Sequence, residues 1–247
     1  MNTSSFIKDT EYIQAACDPQ LSSPHTHLLA TLLSQEDQHD YNQLLQIQLP
    51  KDILQISHQL SSLLHISSSA IWMSIVLLKK LIIQKYSLDL LTIIACITLS
   101  SKYQDSSSEL IDYELILQYY PIQNIQQIHN TEIHLLDIFS YDISVTTPDH
   151  FFSYLFNLSN SDDNHHLKEI IEQGRSLFFM KLHSYETMKL LYNYPSSIVT
   201  LSFIYKITSN NIFIIEQIKN FLLHKKDPTY YFTQLLHCTA LLQSITS

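Results

Sequence analysis

The sequence predicts an all-α protein: two tandem five-helix domains preceded by an N-terminal helical extension. Three observations lead there. The first is glycine: 247 residues contain one Gly and seven Pro. Hairpin-rich β folds and nucleotide-binding α/β folds need glycines at tight turns and phosphate loops. With a single Gly, none of those glycine-built motifs can exist. The second is a series of apolar stripes at helical spacing, many opened by a Pro or a short polar residue able to start a helix. The third is repetition: the second half restarts the order of the first at a period of roughly 100 residues. At 45% hydrophobic residues the chain can fill a core of that size.

Residues 1–49 form the extension. Residues 4–16 read as a short helix ended by Asp18-Pro19. Pro24 opens a second helix, HTHLLATLLSQED, with Leu28, Leu29, Leu32 and Leu33 along one face, and residues 41–49 lead up to Pro50. Residues 50–145 form the first domain. Pro50 starts a helix whose stripe is Ile53, Leu54, Ile56, Leu60, Leu63 and Leu64. Ser67 to Ser69 cap a second helix over 70–86. Ser87 caps a third over 88–102, apolar nearly all round, as suits a helix enclosed by others. Ala95 and Cys96 allow neighbouring helices to approach it closely. Ser106 to Ser108 precede a fourth helix, ELIDYELILQYY, which stops at Pro121. The fifth covers about 122–139, with Ile125, Ile128, Leu135, Leu136 and Phe139 in phase. Residues 146–247 repeat the plan. Thr147-Pro148 start a helix to Leu158, SNSDDNHH is a polar loop, and a long helix covers about 167–185. Pro195 opens SSIVTLSFIYKIT in the place of the buried third helix, and helices over 211–224 and 228–245 complete the set.

Charge and motif content narrow the function. The net charge is −9 with His neutral, and Arg175 is the only arginine. A nucleic-acid surface needs clustered Lys and Arg, so no nucleic-acid partner is expected. Cys17, Cys96 and Cys238 are odd in number and far apart, which points to reduced thiols in an intracellular protein. MNTSSFIKDTEYIQ lacks the apolar run of a signal peptide. The longest apolar stretches, 70–78 and 90–99, are too short to span a bilayer, so no membrane association is expected. HExxH, CxxC and GxSxG are absent. His25, His27, His165, His166 and His183 are scattered, whereas a metal site needs converging ligands. No catalytic group, cofactor or metal is expected. Asp162-Asp163 reads as a solvated pair.

Two polar residues stand out in apolar helices: Lys102 at the exit of the third and Glu132 on the fifth. Alone, Lys102 is a partner for the helix dipole and Glu132 part of a solvent face. Their context is more specific. LLTIIACITLSSKYQD is a buried helix ending in Ser-Lys-Tyr. NTEIHLLDIFSYDISVTTPDHFF carries a Glu, hydrophobics in phase, an aromatic-Asp turn and a Thr-Pro start. YNYPSSIVTLSFIY gives a Pro-Ser opening to the second buried helix. In these segments and this order the chain resembles the cyclin family. The Thr-Pro-Asp-His-Phe run, the Glu132-to-Pro148 spacing and LLATLLSQEDQHDYNQLLQIQL are most similar to D-type, G1 cyclins or a diverged or viral cyclin.

The resemblance implies two cyclin boxes and a regulatory subunit, not an enzyme. It implies a heterodimer with a Ser/Thr cyclin-dependent kinase, in nucleus or cytoplasm, with a role in cell-cycle control. Lys102 and Glu132 would be charged clamps for backbone groups near the kinase C-helix, with Leu99, Tyr103, Leu136, Tyr141 and Ile143 as apolar anchors. Docking that helix inward assembles the kinase site by selecting its active conformer. The alternative is a cyclin-fold scaffold or transcription-type adaptor that activates no kinase. Three positions depart from the family. Where cyclins have an Arg in the first box helix, an Asp ending the second and a Trp in the first, this chain has Lys51, Lys79 and, approximately, Ser57. The bracing ion pair cannot form there, and substrate recruitment through a hydrophobic patch on that helix is not expected. Trp72, on the second helix, does not replace the missing one.

Overall fold

The structure is a computed structural model that describes residues 24–38, 41–105, 111–158, 165–182, 184–208, 212–223, 225 and 227–244. The helix expected over 4–16, Cys17, the serines at 106–108, the Asp162-Asp163 pair and His183 lie outside the described residues.

Among the described residues the only regular structure is helical. In chain order the helices are α1 (Pro24–Gln38), α2 (Tyr41–Gln46), α3 (Lys51–Leu63), α4 (Ser68–Ile83), α5 (Leu90–Gln104), α6 (Tyr113–Tyr119), α7 (Ile125–Ile138), α8 (Pro148–Leu158), α9 (His165–Leu182), α10 (Tyr185–Leu191), α11 (Ser196–Ile207), α12 (Ile212–Leu222) and α13 (Pro228–Ser244). Two of them are hubs. α5 packs against α3, α4 and α7, and α11 against α8, α9, α12 and α13. Every residue from Thr92 to Ser101 and from Ser196 to Ile204 is buried. Such helices are stable only when enclosed, and each fully buried Leu, Ile or Phe contributes about 1.5–3 kcal/mol. Some of their hydroxyls bond to carbonyls one turn back, as Ser202 Oγ does to Ile198 at 2.8 Å and Thr200 Oγ1 to Ser196 at 3.0 Å. The single glycine, Gly174 of α9, lies where a Cβ would stand 3.4 Å from Ile204 Cγ1 and from Phe152 Cε1. α9 can approach α11 that closely because it carries no side chain there.

Local chemistry fixes most helix starts. Ser67 Oγ accepts the Ala70 N–H at 3.2 Å and opens α4. The start of α5 is two residues later than the Ser87 cap predicts: Asp89 takes the role, accepting the Thr92 N–H at 2.7 Å. Asp112 and Asn124 cap α6 and α7 in the same way. Both are strong N-cap residues, which is why these helices begin inside the broader apolar windows. The long helix expected to Tyr185 ends at Leu182, and a separate short helix, α10, follows and packs on α3, α9 and α13. Its Tyr185 ring stands edge-on to His58 of α3 with centroids 6.4 Å apart. On α1, Leu29, Leu32 and Leu33 are buried but Leu28 faces outward. The stripe continues instead to Glu36, buried against α11.

Two sequence motifs meet in space. Ser196 Oγ donates to the Thr146 carbonyl at 2.7 Å and Thr200 Oγ1 to the Pro148 carbonyl at 2.9 Å. The Thr-Pro start of α8 is thus fastened to the Pro-Ser start of α11. At the departures from the family pattern, Lys51 is exposed, and Ser57 is buried with its hydroxyl on the Ile53 carbonyl at 2.8 Å. Lys79 is buried and donates to the Tyr192 carbonyl at 2.6 Å. Trp72, two turns earlier on the same face of α4, packs its ring 4.8 Å from that of Tyr192.

Burial pushes the Lys79 amine down to about 8. Its pKa in the unfolded chain is higher, so the unfolded state binds the extra proton between about pH 8 and 10.5. Stability contributed at this site therefore rises with pH through that window and is at its lowest below it. Replacing Lys79 with Met is expected to remove that slope and to leave the variant more stable than wild type at pH 7. The difference between the urea midpoints of the two proteins at pH 7, 8, 9 and 10 reads the effect.

Candidate functional site

The buried positions of α7 are Ile128, Glu132 and Leu135, a stripe at one helical face. A carboxylate in the middle of such a stripe is costly unless its oxygens are hydrogen-bonded. Here both are. Thr98 and Lys102, one turn apart on α5, present their side chains to the same side of that helix. Thr98 Oγ1 donates to Glu132 Oε1 at 2.6 Å, and Lys102 Nζ to Glu132 Oε2 at 2.5 Å. His129, one turn before Glu132, brings Nδ1 to Oε2 at 3.1 Å. A carboxylate only accepts, so the tautomer assigned to His129 carries its N–H at Nδ1. Tyr113, the first residue of α6, reaches Oε1 with its hydroxyl at 3.5 Å.

Lys102 and Tyr113 are coupled further. The ammonium lies 5.4 Å from the centroid of the Tyr113 ring, and that ring stands edge-on to His129 at 4.9 Å. Burial by itself would push the Lys102 amine down. Hydrogen bonding with Glu132 and Tyr113 outweighs it and holds the amine above its ordinary value. Burial pushes the Tyr113 phenol up, with the Glu132 charge adding to it and Lys102 opposing. The last turn of α5 also ends in partial negative charge, which favours a cation at Lys102. The two charges differ in access: the Lys102 side chain is 41% exposed, that of Glu132 only 7%.

The sequence-predicted anchors separate into two layers. Tyr103 is 54% and Tyr141 67% exposed, and Leu136 is half-buried. Leu99 and Ile143 are buried in the core beneath. Ile133, beside Glu132 and outside the predicted set, is 56% exposed. Tyr141 is held in an unusual conformation. It and Ser140 have φ of 63° and 52°, in the left-handed region that non-glycine residues enter at a cost of about 1–3 kcal/mol each. The Tyr141 N–H closes α7 on the Leu136 carbonyl at 2.8 Å, and its hydroxyl donates to Asp137 Oδ1 at 2.8 Å. The strained turn thereby projects an aromatic ring into solvent.

Thr98, Tyr113 and His129 are site residues that sequence reasoning missed. Thr98 lies four positions before Lys102 and His129 three before Glu132, so helical spacing could have marked both. Nothing near Tyr113 in the sequence pairs it with Glu132. Chemically, the site offers a partly exposed ammonium aimed by a buried carboxylate, a group suited to recognising hydrogen-bond acceptors. Among the described residues no group of three or more His, Cys, Asp or Glu side chains converges as a metal site would, and no helix is long and apolar enough to cross a membrane. The exposed positions of α3 are polar at Lys51, Asp52, Gln55, Gln59 and Ser62.

No family model matches the chain, and no curated protein matches it. Among solved structures it is similar to the X-ray structure of a viral cyclin from herpesvirus saimiri, with a TM-score of 0.61 at 13% identity. The match covers 86% of this chain and 95% of that one. At that identity the likeness speaks for the fold alone: the chain has the all-helical cyclin fold.

Proposed function

We propose that this protein is a cyclin-like regulatory subunit that binds a Ser/Thr cyclin-dependent kinase and activates it. The observation that carries the reading is the Lys102–Glu132 pair, held at 2.5 Å where α5 and α7 meet, with two exposed rings on the same two elements, Tyr103 next to Lys102 and Tyr141 just past the end of α7. The cyclin-like fold supports it, because the resemblance assigns this place to the kinase C-helix. A kinase helix seated here would bury Tyr103, Leu136 and Tyr141, and a few such anchors carry most of an interface's affinity. Leu99 and Ile143 support that surface from below. The domain limits proposed with this reading are 50–145 and 146–247, after an extension over 1–49. The subunit supplies no catalytic group. It acts by binding the active kinase conformer better than the inactive one, within a heterodimer that serves cell-cycle control in nucleus or cytoplasm.

A scaffold that binds partners without activating a kinase is the second reading. Lys79 favours it: the residue at the family's bracing Asp is turned to Tyr192 instead. Affinity purification of the tagged chain followed by mass spectrometry tests the first reading. A cyclin-dependent kinase is expected among the co-purifying proteins at near-equal amount. Recovery of other partners with no kinase of that class supports the scaffold.

A further inference from the structure

We infer that Glu132 is a positioning residue that does not touch the partner, and that the partner meets Lys102 with acceptors: backbone carbonyls or a carboxylate. The inference rests on the partner-binding reading of this site and departs from a symmetric two-charge clamp. A carboxylate offers about four acceptor directions. Three donors hold the carboxylate of Glu132 closely, Thr98 on Oε1 and Lys102 and His129 on Oε2, and the Tyr113 hydroxyl stands 3.5 Å from Oε1 over the remaining side. To accept a partner N–H, Glu132 would have to release one of these donors inside a site where its side chain is 7% exposed, leaving a buried polar group unsatisfied.

Lys102 is placed the opposite way. An ammonium has three N–H donors: one is on Glu132, a second is drawn to the Tyr113 hydroxyl, and the third is left for a partner. The Tyr113 ring covers one side of the amine, and the rest of the head faces solvent. The flexible lysine stem is thus aimed by one carboxylate and one ring before any partner arrives, which reduces the entropy lost on docking. Thr98, Tyr113 and His129 keep the carboxylate in place so that it can aim the lysine. The complementary surface therefore presents acceptors above Lys102, between apolar groups that cover Tyr103 and Tyr141.

A double-mutant cycle on the affinity of the full chain for a purified cyclin-dependent kinase tests this. Lys102→Met is expected to weaken binding by about tenfold to a hundredfold, the range for a charged hydrogen bond. Glu132→Gln alone should weaken it less, and in the Lys102→Met background it should cost no more than about twofold, because a residue acting only through Lys102 shows full coupling. A further loss of about tenfold or more in that background means that Glu132 touches the kinase and overturns the inference. A second arm needs no partner: the pH profile of Lys102 acetylation in the free chain. Glu132→Gln and, to a smaller extent, Tyr113→Phe should shift that profile to lower pH. An unchanged profile shows that neither group holds the amine and also overturns the inference. If the wild type binds no cyclin-dependent kinase, the proposed function fails by itself, and the acetylation profile still decides whether Glu132 positions Lys102.

Discussion

Replacing Glu36 with Ala is expected to lower the stability of the folded chain by about 3–5 kcal/mol, the cost of breaking a buried ion pair by removing one partner. Glu36 comes from α1 and is almost fully buried against α11. Its Oε1 accepts the Ser197 N–H at 2.8 Å and its Oε2 the Ser197 hydroxyl at 2.7 Å. Lys225, also buried, donates to the same carboxylate, and its amine sits over the Tyr231 ring at 4.7 Å. The start of α11 has Pro195 at the cap position, which makes no side-chain cap bond. Glu36 supplies the missing acceptor from another helix, and its charge suits the positive end of the α11 dipole. Truncation removes the cap and leaves the Lys225 ammonium buried without its carboxylate. The thermal midpoint and the urea midpoint should both fall. The paired change Glu36→Leu with Lys225→Met should recover much of the loss, since apolar packing often substitutes for a buried ion pair at little cost. A midpoint unchanged in Glu36→Ala would mean that α1 is not fastened to α11 in solution.

The second large effect is expected on partner binding. Lys102→Ala should remove a charge-assisted hydrogen bond worth about 1.5–3 kcal/mol. Tyr141→Ala removes a projecting aromatic ring of the kind that acts as a hot spot, at a cost of about 2 kcal/mol or more. Both residues belong to the proposed binding face, so the double variant need not show the sum. Its affinity for the kinase should fall by about a hundredfold or more. The stability of the free chain should fall by less than in Glu36→Ala, because Lys102 and Tyr141 are exposed and the buried Glu132 carboxylate keeps the donors of Thr98 and His129. Tyr141→Gly separates the ring from the backbone. Glycine relieves the left-handed conformation at φ 63° and should stabilise the turn while still weakening binding.

Much of this architecture is legible in the sequence, because its signals are local. Pro50, Pro148 and Pro228 mark helix starts, Ser67 caps α4, and the apolar runs in α5 and α11 announce the two enclosed helices. The resemblance motifs also bring out Lys102 and Glu132. The polar cores are not local. Thr98 meets Glu132 across 34 positions, Lys79 meets Tyr192 across 113, and Glu36 meets Ser197 across 161 and Lys225 across 189. No periodicity within one helix encodes such pairs. Glu132 illustrates the consequence. An isolated acid on an amphipathic helix reads as solvent face, yet it closes the buried stripe between Ile128 and Leu135, because the donors on α5 and α6 satisfy it there. Glu36 is the same case on α1. The end of α9 near residue 182 is likewise set by the docking of α10 on α3, a tertiary contact that helix propensity does not contain.

The most direct measurement is phosphorylation of a peptide substrate by a purified cyclin-dependent kinase, with and without this protein at saturating concentration. Cyclin-like action predicts strong stimulation by the wild-type chain, and its loss in the Lys102→Ala, Tyr141→Ala variant at a concentration that saturates with wild type. A chain that binds the kinase without stimulating it, or a double variant that stimulates as well as wild type, would contradict the account.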